Sequence, residues 1–487
     1  MTQSDAAWTR ATTRSRRRPR LIDPRLAAAL TVAKVVSHGI RRTGRGGGTA
    51  APGLVADRID PHLLTKLTAR LTRGAVVIAG TNGKTTVSRM VADILEADGS
   101  EVLHNRSGSN LVRGVVAAFA DETSIVGALG ADAAVIETDE AALPEIMRRV
   151  QPRVILLNNL FRDQLDRYGE LNTIGTLWRR ALTALPAETT IVVNADDPTL
   201  ATLTEDLRAR RLTFGLEDTS YRLDALPHAA DAATCRHCGA DLIYDALYVS
   251  HLGAWRCPNG DAARPPLDVS GRDVALHGVE SLDVTIDIAG VNSHRVSVGV
   301  PGLYNAYNAV AAAAVARALA VDPDVVARSL SAFRAAFGRI ERVAFRGRTL
   351  VMALVKNPTG FNEVLRMLTA ETGGLTVPTL LAINDLAADG RDISWLWDVD
   401  FEMLAGGSAP LSTTGLRGAD MANRLKYAGI EPGRIQPLTI DPRTALEAFV
   451  ASVPEGGTGY VLPTYTAMLE LRRILADLGA VETFWRQ

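Results

Sequence analysis

Several features that mark specialised protein classes are scarce or missing in this sequence. Its 487 residues include three cysteines, too few for a disulfide framework. No apolar stretch reaches the roughly 20 residues of a membrane-spanning helix. No uninterrupted apolar region follows the basic N-terminus, so we expect neither an anchor nor a signal peptide. The net charge of −1 argues against nucleic-acid binding by the chain as a whole. We therefore expect a cytoplasmic protein.

Two further absences bear on chemistry. No lysine occurs between Lys84 and Lys356, and no C-G-x-C segment or other glutaminase nucleophile is visible.

The length and apolar content of the chain are those of an ordinary globular protein. A chain of 487 residues, 47% of them apolar, exceeds the size at which a single hydrophobic core stops growing. Two or three domains are therefore expected.

Basic residues are concentrated at the N-terminus. Arginines at positions 10, 14, 16, 17, 18 and 20 face a single acid, Asp5. Such a segment is either a solvated tail or a region attracted to anionic phospholipid head groups. We expect residues 1–43 to form this arm and one helix after it.

A strand, a glycine-containing loop and an amphipathic helix follow one another between residues 75 and 95. Backbone N–H groups of such a loop surround phosphate oxygens, a lysine contacts the terminal phosphates, and a threonine hydroxyl ligates Mg²⁺. Lys84 and Thr85 occupy these two positions. We therefore predict an ATP site. Its phosphate-binding residues are Gly80, Thr81, Asn82, Gly83, Lys84, Thr85 and Thr86.

The pattern after this loop predicts a parallel sheet. Strands are expected at Ala133–Glu137, Arg153–Asn158 and Thr190–Val193, with helical segments between them. Such alternation is typical of a largely parallel sheet covered by helices, which binds ligands at the carboxyl ends of its strands. Glu137 ends one strand, where its carboxylate can ligate the metal that bridges ATP phosphates. Thr85 and Glu137 are the predicted Mg²⁺ ligands.

The cysteines lie in a segment, residues 231–266, that interrupts the alternation. Cys235 and Cys238 are separated by two residues, and Cys257 follows after a gap of 18 residues. Three of the four ligands of a zinc ribbon are therefore present, and Gly260 occupies the position of the fourth. Either a different residue completes the zinc site, or the hairpin has lost its metal. The candidates for the fourth ligand are His237, His251 and Asp261.

The phosphate loop departs from the common G-x-x-x-x-G-K-S/T pattern, because Ile78 stands in place of the first glycine. It resembles the compressed G-T-x-G-K-T loop of the Mur ligase superfamily, the ATP-dependent enzymes that build the peptide of bacterial cell walls. Segments 194–198 (NADDP), 302–308 (GLYNAYN) and 338–342 (GRIER) are also similar to superfamily motifs. The resemblance implies that Asn305 and Asn308 open a helix facing the adenine, and that Arg339 reaches the nucleotide.

Three positions depart from the superfamily pattern. Gln164 replaces a histidine. Many Mur ligases hold a second Mg²⁺ with a carbamylated lysine, and this chain has no lysine between Lys84 and Lys356 that could take that role. Where the superfamily carries D-Y-A-H-N-P, this chain has A-L-V-K-N-P at 353–358, so Lys356 stands in place of the histidine. Lys356 either contacts a phosphate or acyl phosphate group, or points into solvent.

Within the superfamily, the chain resembles the MurT family of lipid II isoglutaminyl synthase subunits. The similarity is carried by the loop 44–53 and by segments 137–144 (ETDEAALP), 161–170 (FRDQLDRYGE) and 389–398 (DGRDISWLWD). It implies ATP-dependent amidation of the α-carboxylate of D-isoglutamate in the lipid II stem peptide, through an acyl phosphate, at the inner face of the membrane. Ammonia is expected from a glutaminase partner, GatD.

The same resemblance implies that the partner docks on the third domain. Residues 384–402 combine two tryptophans with several acids, a composition suited to docking. One aspartate is expected to complete the glutaminase Cys-His pair by accepting the second N–H of the histidine. We predict Asp398 in this role, with Asp392 and Asp400 as alternatives. Lys84 and Glu137 are the predicted catalytic residues of the ligase reaction.

The predicted fold class is α/β. A Mur-ligase-like central ATP-binding domain spans residues 44–342 and includes the cysteine ribbon at 231–266. A Rossmann-like, glutaminase-docking domain spans 343–487. Two other functions remain open: a Mur-type ligase that adds an amino acid, and a scaffold that binds ATP without catalysis.

Overall fold

The computed structural model describes residues 23–43, 50–105, 110–162, 171–218, 220–291, 293–334, 340–370 and 372–481. These residues form two α/β units, each built on its own sheet, with a two-stranded hairpin inserted in the first unit. None of the helices within these ranges has the length and apolarity needed to cross a membrane. The basic arm, most of the glycine-rich loop, residues 163–170 and Arg339 lie outside the described residues.

The first unit starts with helices α1 (Pro24–Thr43), α2 (Ala50–Ile59) and α3 (Leu63–Thr68). Alternating strands and helices follow: β1 (Gly74–Ala79), α4 (Lys84–Ala97), β2 (Val102–His104), α5 (Val112–Glu122), β3 (Ala133–Glu137), α6 (Leu143–Val150), β4 (Val154–Leu157), α7 (Leu171–Thr183), β5 (Thr190–Asn194), α8 (Pro198–Leu203) and β6 (Arg210–Leu216). The remaining elements are the hairpin strands β7 (Ile243–Val249) and β8 (Leu252–Arg256), then β9 (Val269–His277), β10 (Ser281–Ile288), β11 (Ser293–Val298), α9 (Leu303–Ala318) and α10 (Pro323–Ala332).

The strand order of this unit brings the predicted site residues together. Among the described residues the order is β11-β10-β9-β6-β5-β4-β1-β3-β2, and neighbouring strands from β9 to β2 are parallel. Strand β1 therefore lies between β3 and β4. Because the carboxyl ends of parallel strands meet at one edge, the phosphate loop adjoins Glu137 at the end of β3 and Asn158 after β4.

Strand β1 shows why the predicted strands are continuously apolar. Successive side chains of a strand point to opposite faces of the sheet. Val76 and Ile78 pack in one hydrophobic cluster with residues of α4 and α9, whereas Val77 and Ala79 pack in another with residues of α1, α3 and α6. Helices thus cover both faces, and each buried valine or isoleucine contributes roughly 1.5–3 kcal/mol of burial free energy.

The second unit contains β12 (Ile340–Phe345), β13 (Arg348–Ala353), α11 (Pro358–Thr369), β14 (Thr379–Ala382), β15 (Leu411–Thr414), α12 (Gly418–Tyr427), β16 (Ile435–Pro437), α13 (Pro442–Ser452), β17 (Thr458–Pro463) and α14 (Tyr465–Asp477). Its strand order is β12-β13-β17-β14-β15-β16, with only the β12–β13 pair antiparallel among these neighbours. The predicted α/β class with parallel sheets is confirmed. Strand β12 crosses the predicted domain boundary at residue 343 and pairs within this second sheet.

Candidate active site

The phosphate loop follows β1 and ends where α4 begins at Lys84. Gly83 has a φ of 84°, in the left-handed region, and a Cβ at this position would lie 2.2 Å from Oδ1 of Asn308. Glycine therefore permits both the turn into the helix and the close approach of α9. Lys84 and Thr85, the first residues of α4, line a cavity, and the N-terminus of a helix favours anionic ligands.

Asparagine amides hold the loop in this conformation. The backbone N–H of Asn82 donates to Oδ1 of Asn159 at 2.8 Å. The side-chain amides of Asn158 and Asn159 both donate to the carbonyl of Asn82 at 3.0 Å. Asn158 also donates to Oδ1 of Asn308, at 3.2 Å. The strand β4 and the helix α9 thus fix the loop through hydrogen bonds.

The Lys84 side chain is buried beside an acid that our sequence prediction missed. Its ammonium lies 3.1 Å from Oε1 of Glu140 and also donates to the carbonyl of Thr81 at 3.2 Å. Burial raises the pKa of Glu140, but the charges of Lys84 and Lys356 outweigh this effect and hold that pKa below its ordinary value. Glu140 therefore lines the same cavity as two lysines, one from each unit. The E-T-D-E-A segment, of which Glu140 is the second glutamate, is the sequence signal that could have indicated it.

The cavity beside the phosphate loop has a volume of about 420 Å³ and lies between the two units. The first unit contributes the loop, Glu137 and Tyr307 to its wall, and the second unit contributes Lys356 and Asn357. A cavity of this size, with convergent polar groups, is suited to a small-molecule ligand. A ligand that fills the cavity would contact both units.

The two predicted Mg²⁺ ligands, Thr85 and Glu137, both line this cavity. The backbone N–H and C=O of Glu137 each bond to the side-chain amide of Asn105 at 2.9 Å, which fixes the end of β3. A hydroxyl and a carboxylate are the hard oxygen ligands that Mg²⁺ prefers. The residues beside the phosphate loop therefore fit this ion.

The predicted nucleotide-binding residues Asn305, Asn308 and Thr86 do not all line the cavity. Asn308 lines the cavity. The amide of Asn305 instead donates to the carbonyl of Pro301 at 2.6 Å, and its Oδ1 accepts from Asn308 at 2.9 Å. Asn305 thus supports the start of α9 and orients Asn308. Thr86 is half-buried on α4 and is not among the described residues that line the cavity. The adenine role of the asparagine pair stays a prediction.

The cysteine hairpin brings its thiols together with one of the three candidate ligands. His237 lies 3.1 Å from Glu205, outside the cluster. His251 is fully buried and accepts a hydrogen bond from the N–H of Asp231 at 3.2 Å. Three thiols and a carboxylate fit a four-coordinate Zn²⁺. The ligand atoms that lie within 4.8 Å of one another belong to Cys235, Cys238, Cys257 and Asp261.

The predicted partner segment lies on the surface of the second unit. Asp398 ends the 3₁₀ turn Ser394–Asp398, and its carboxylate lies 3.5 Å from the guanidinium of Arg162 in the first unit. Trp397 is 51% exposed and its ring centroid lies 5.5 Å from that of Tyr427, which is 69% exposed. Exposed aromatic rings beside an acid suit a protein partner.

The two alternative aspartates have shorter contacts within the chain. Asp392 accepts a hydrogen bond from the N–H of Ser394 at 2.8 Å. Asp400 accepts one from the amide of Asn362 at 2.7 Å and lies 2.7 Å from Nδ1 of His228. Of the three aspartates, Asp398 has the longest of these contacts.

Comparison with known proteins identifies the family. The chain matches the Mur ligase middle domain over residues 78–239 and the MurT ligase C-terminal domain over 354–468. The lipid II isoglutaminyl synthase (glutamine-hydrolyzing) subunit MurT of Streptococcus pneumoniae is 32% identical, over 90% of this chain and 94% of its own. The Staphylococcus aureus protein of that name is 29% identical, over 90% and 95%. The fold is similar to a pseudomurein peptide ligase type C from Methanothermus fervidus (TM-score 0.66, 19% identity, 86% and 81% covered). The chain belongs to the MurT family of Mur ligases.

Proposed function

We propose that the chain is the ATP-consuming subunit of an enzyme that amidates the α-carboxylate of D-isoglutamate in the lipid II stem peptide. The relatives from two bacteria are named as subunits of a glutamine-hydrolysing lipid II isoglutaminyl synthase, which supports this proposal. The observation that carries the proposal is the cavity between the two units, which is lined by the phosphate loop with Lys84 from the first unit and by Lys356 from the second. The protein would work at the inner face of the membrane, where this substrate is expected.

The first step joins two anions. A carboxylate oxygen of the acceptor forms a bond to the γ-phosphorus of ATP while the bond to the β,γ-bridging oxygen breaks, which yields an acyl phosphate and ADP. Lys84 from the first unit and Lys356 from the second both line the cavity and supply positive charge there. Mg²⁺ held by Thr85 and Glu137 would supply further positive charge to the phosphate oxygens.

The second step uses ammonia. Its nitrogen attacks the carbonyl carbon of the acyl phosphate, the carbon–oxygen bond to phosphate breaks, and one proton of the ammonia passes to the leaving phosphate. Because water destroys acyl phosphates, a cavity closed by two units favours the amide product.

Nitrogen comes from a partner chain of the glutaminase class, of the GatD type. The three cysteines of this chain lie in one cluster, so none of them is the glutaminase nucleophile. Asp398, half-buried beside the exposed Trp397, would accept the second N–H of the partner's catalytic histidine and fix its tautomer. The S. pneumoniae and S. aureus relatives are named as subunits, which supports a heterodimer.

The cysteine cluster would hold Zn²⁺ through Cys235, Cys238, Cys257 and Asp261. Its role is structural, because four protein ligands leave no position for a substrate. The hairpin that carries it is also held by Arg264, whose guanidinium donates to the buried Asp196 at 2.9 Å.

The test is co-expression with the candidate glutaminase, followed by mass analysis of lipid II for the conversion of a carboxyl group to an amide. We expect ATP-dependent product with either glutamine or ammonium chloride as nitrogen source. Lys84→Ala should abolish the product with both sources. Formation of amide at full rate by that variant would contradict the proposal.

The same assay separates the two other functions. A ligase that adds an amino acid would release ADP in response to an amino acid, with no need for glutamine. A scaffold that binds ATP without chemistry would bind it tightly and show no turnover with partner and lipid II.

A further inference from the structure

Arg162 belongs to the first unit, and its side chain reaches the proposed docking segment of the second unit. Its guanidinium contacts two carboxylates, one in each unit. The Nε atom donates to Oδ1 of Asp231, and the Nη1 atom lies 3.5 Å from Oδ2 of Asp398. One side chain thus bridges the start of the cysteine segment and the aspartate expected to serve the glutaminase.

The end of this bridge at Asp231 is fixed by further contacts. The Asp231 side chain is 4% exposed, and its carboxylate also accepts a hydrogen bond from the backbone N–H of Arg162 at 2.8 Å. The N–H of Asp231 donates to Nδ1 of the fully buried His251 at 3.2 Å. A buried carboxylate needs such partners, because an unpaired buried charge is strongly destabilising. Asp231 therefore holds the guanidinium in one place.

The end of the bridge at Asp398 remains accessible to a partner. The side chains of Arg162 and Asp398 are 35% and 36% exposed. Oδ2 of Asp398 faces Arg162, whereas Oδ1 makes no hydrogen bond within the part of the chain that the structure describes. An aspartate that orients a catalytic histidine must itself be held in one orientation. An ion pair through Oδ2 supplies this restraint and leaves Oδ1 available.

The backbone beside Arg162 is bonded to the phosphate loop. The N–H of Phe161 donates to the hydroxyl of Thr81 at 3.0 Å, and that hydroxyl donates to the carbonyl of Phe161 at 3.1 Å. The N–H of Thr81 also donates to the carbonyl of Asn159 at 3.1 Å. Thr81 and Phe161 both line the cavity beside the phosphate loop. A nucleotide that contacts them would therefore act on the residue next to Arg162.

We propose that Arg162 is a positioning residue that aligns Asp398 for the partner's catalytic histidine and makes glutamine hydrolysis depend on nucleotide binding. The inference rests on the proposed function, since it requires a glutaminase that uses Asp398. Because Arg162 and Asp398 belong to different units, their contact depends on the relative position of the units. A nucleotide bound between the units favours one such position. Ammonia is then released when an acyl phosphate can form and use it.

The test measures glutamine hydrolysis by the complex of this chain with the glutaminase. Arg162→Gln removes the charge that faces Asp398 but retains a hydrogen-bond donor for Asp231. Asp231→Asn weakens the hold on the guanidinium from the other side and leaves Asp398 unaltered. Glu280→Gln is the matched control, because it removes a different ion pair between the units, with Arg342 at 3.1 Å. Thermal unfolding checks that each variant is folded.

Each complex is assayed with and without Mg²⁺ and a non-hydrolysable ATP analogue. We expect the analogue to raise the kcat for glutamine hydrolysis about fivefold in the unaltered complex and in Glu280→Gln, a factor that an ion pair of this exposure can supply. Arg162→Gln and Asp231→Asn should stay at the lower rate, with the KM for glutamine and ammonium-driven amidation changed by less than about twofold. The double variant should fall no further, because Asp231 acts through Arg162.

Three results would overturn the role of Arg162. They are a full response to the analogue in Arg162→Gln, no response in the unaltered complex, and an equal loss of ammonium-driven amidation, which would indicate a structural role. Failures of the underlying proposals look different. If Asp398→Asn hydrolyses glutamine at the full rate, the docking assignment fails and the role of Arg162 fails with it. If the unaltered complex forms no amide from ammonium and ATP, the proposed function itself fails.

Discussion

Asn82 in the phosphate loop and Asn357 in the second unit exchange two amide hydrogen bonds, of 3.3 and 3.0 Å. The residues are 275 positions apart in the chain. Asn357 also accepts a hydrogen bond from the N–H of Gly360 at 2.8 Å and so caps α11. One side chain therefore links the start of a helix to the loop that is expected to hold the ATP phosphates.

Asn357→Ser should separate these two roles. Serine retains the cap but is too short to reach Asn82, so we expect the KM for ATP to rise about fivefold, the effect of losing about 1 kcal/mol of hydrogen bonding. The thermal unfolding midpoint should barely change. Asn357→Ala, the comparison variant, removes the cap as well and should cost about 1 kcal/mol of stability. An unchanged KM in both variants would show that the contact does not support nucleotide binding.

Asp398→Asn should uncouple glutamine use from ligation. An amide in place of the carboxylate favours the wrong histidine tautomer in the partner, so glutamine-driven amidation should fall by about 10²–10⁴-fold. Ammonium-driven amidation should be unchanged, because loss of a partly exposed ion pair with Arg162 costs less than about 1 kcal/mol. Asp392→Asn is the control and should keep glutamine use. Retention of glutamine use by Asp398→Asn would refute the assignment.

Asp261 should be the fourth ligand of the cysteine cluster. We expect about one zinc ion per chain in protein purified without chelators, measured by elemental mass spectrometry. Asp261→Ala should reduce the zinc content and lower the unfolding midpoint, because the metal stabilises the hairpin. His237→Ala should change neither quantity, since that ring contacts Glu205. A folded hairpin with no zinc would contradict the ligand set.

The contact between His228 and Asp400 should make the joint between the units sensitive to pH. The hydrogen bond to Asp400 and the charge of that carboxylate raise the pKa of His228, burial and Arg424 oppose the shift, and Glu402 adds to it. The resulting stabilisation is fully present below the unfolded pKa of about 6.5 and is lost as the pH rises through the higher folded pKa.

His228→Gln should therefore lower the unfolding midpoint more at about pH 6 than at about pH 9. The difference should stay below about 1 kcal/mol, because the histidine side chain is 75% exposed and water screens the pair. His277→Gln alters a histidine of the first unit that pairs with Asp283 and serves as the comparison. Equal shifts for His228→Gln at both pH values would show that the pair does not contribute.

Local patterns predicted the elements that carry the ATP site. The strand Ala133–Glu137 has the predicted bounds, and α4 covers the predicted helical stretch but begins at Lys84, within the predicted loop. These predictions succeed because an apolar run, a left-handed glycine and a helix start are set by residues close together in the chain. The location of Glu137 beside the phosphate loop was predictable for a related reason, because the carboxyl ends of parallel strands lie at one edge of the sheet.

Contacts between distant segments were not predictable in this way. Nothing in the local pattern near Asn357 shows that it meets Asn82, since that pairing depends on how the two sheets are arranged. The choice of Asp261 over His237 and His251 depends on the hairpin, which directs each ring away from the thiols. The spacing of residues in the sequence does not distinguish among these three candidates for the fourth ligand.

The division of the proposed ATP cavity between the two units also matters for inhibition. A compound that contacts only the phosphate loop would compete with ATP on surfaces that P-loop proteins have in common. A compound that spans Asn82 and Asn357 would instead stabilise one relative position of the two units, and its affinity would include the free energy of that arrangement.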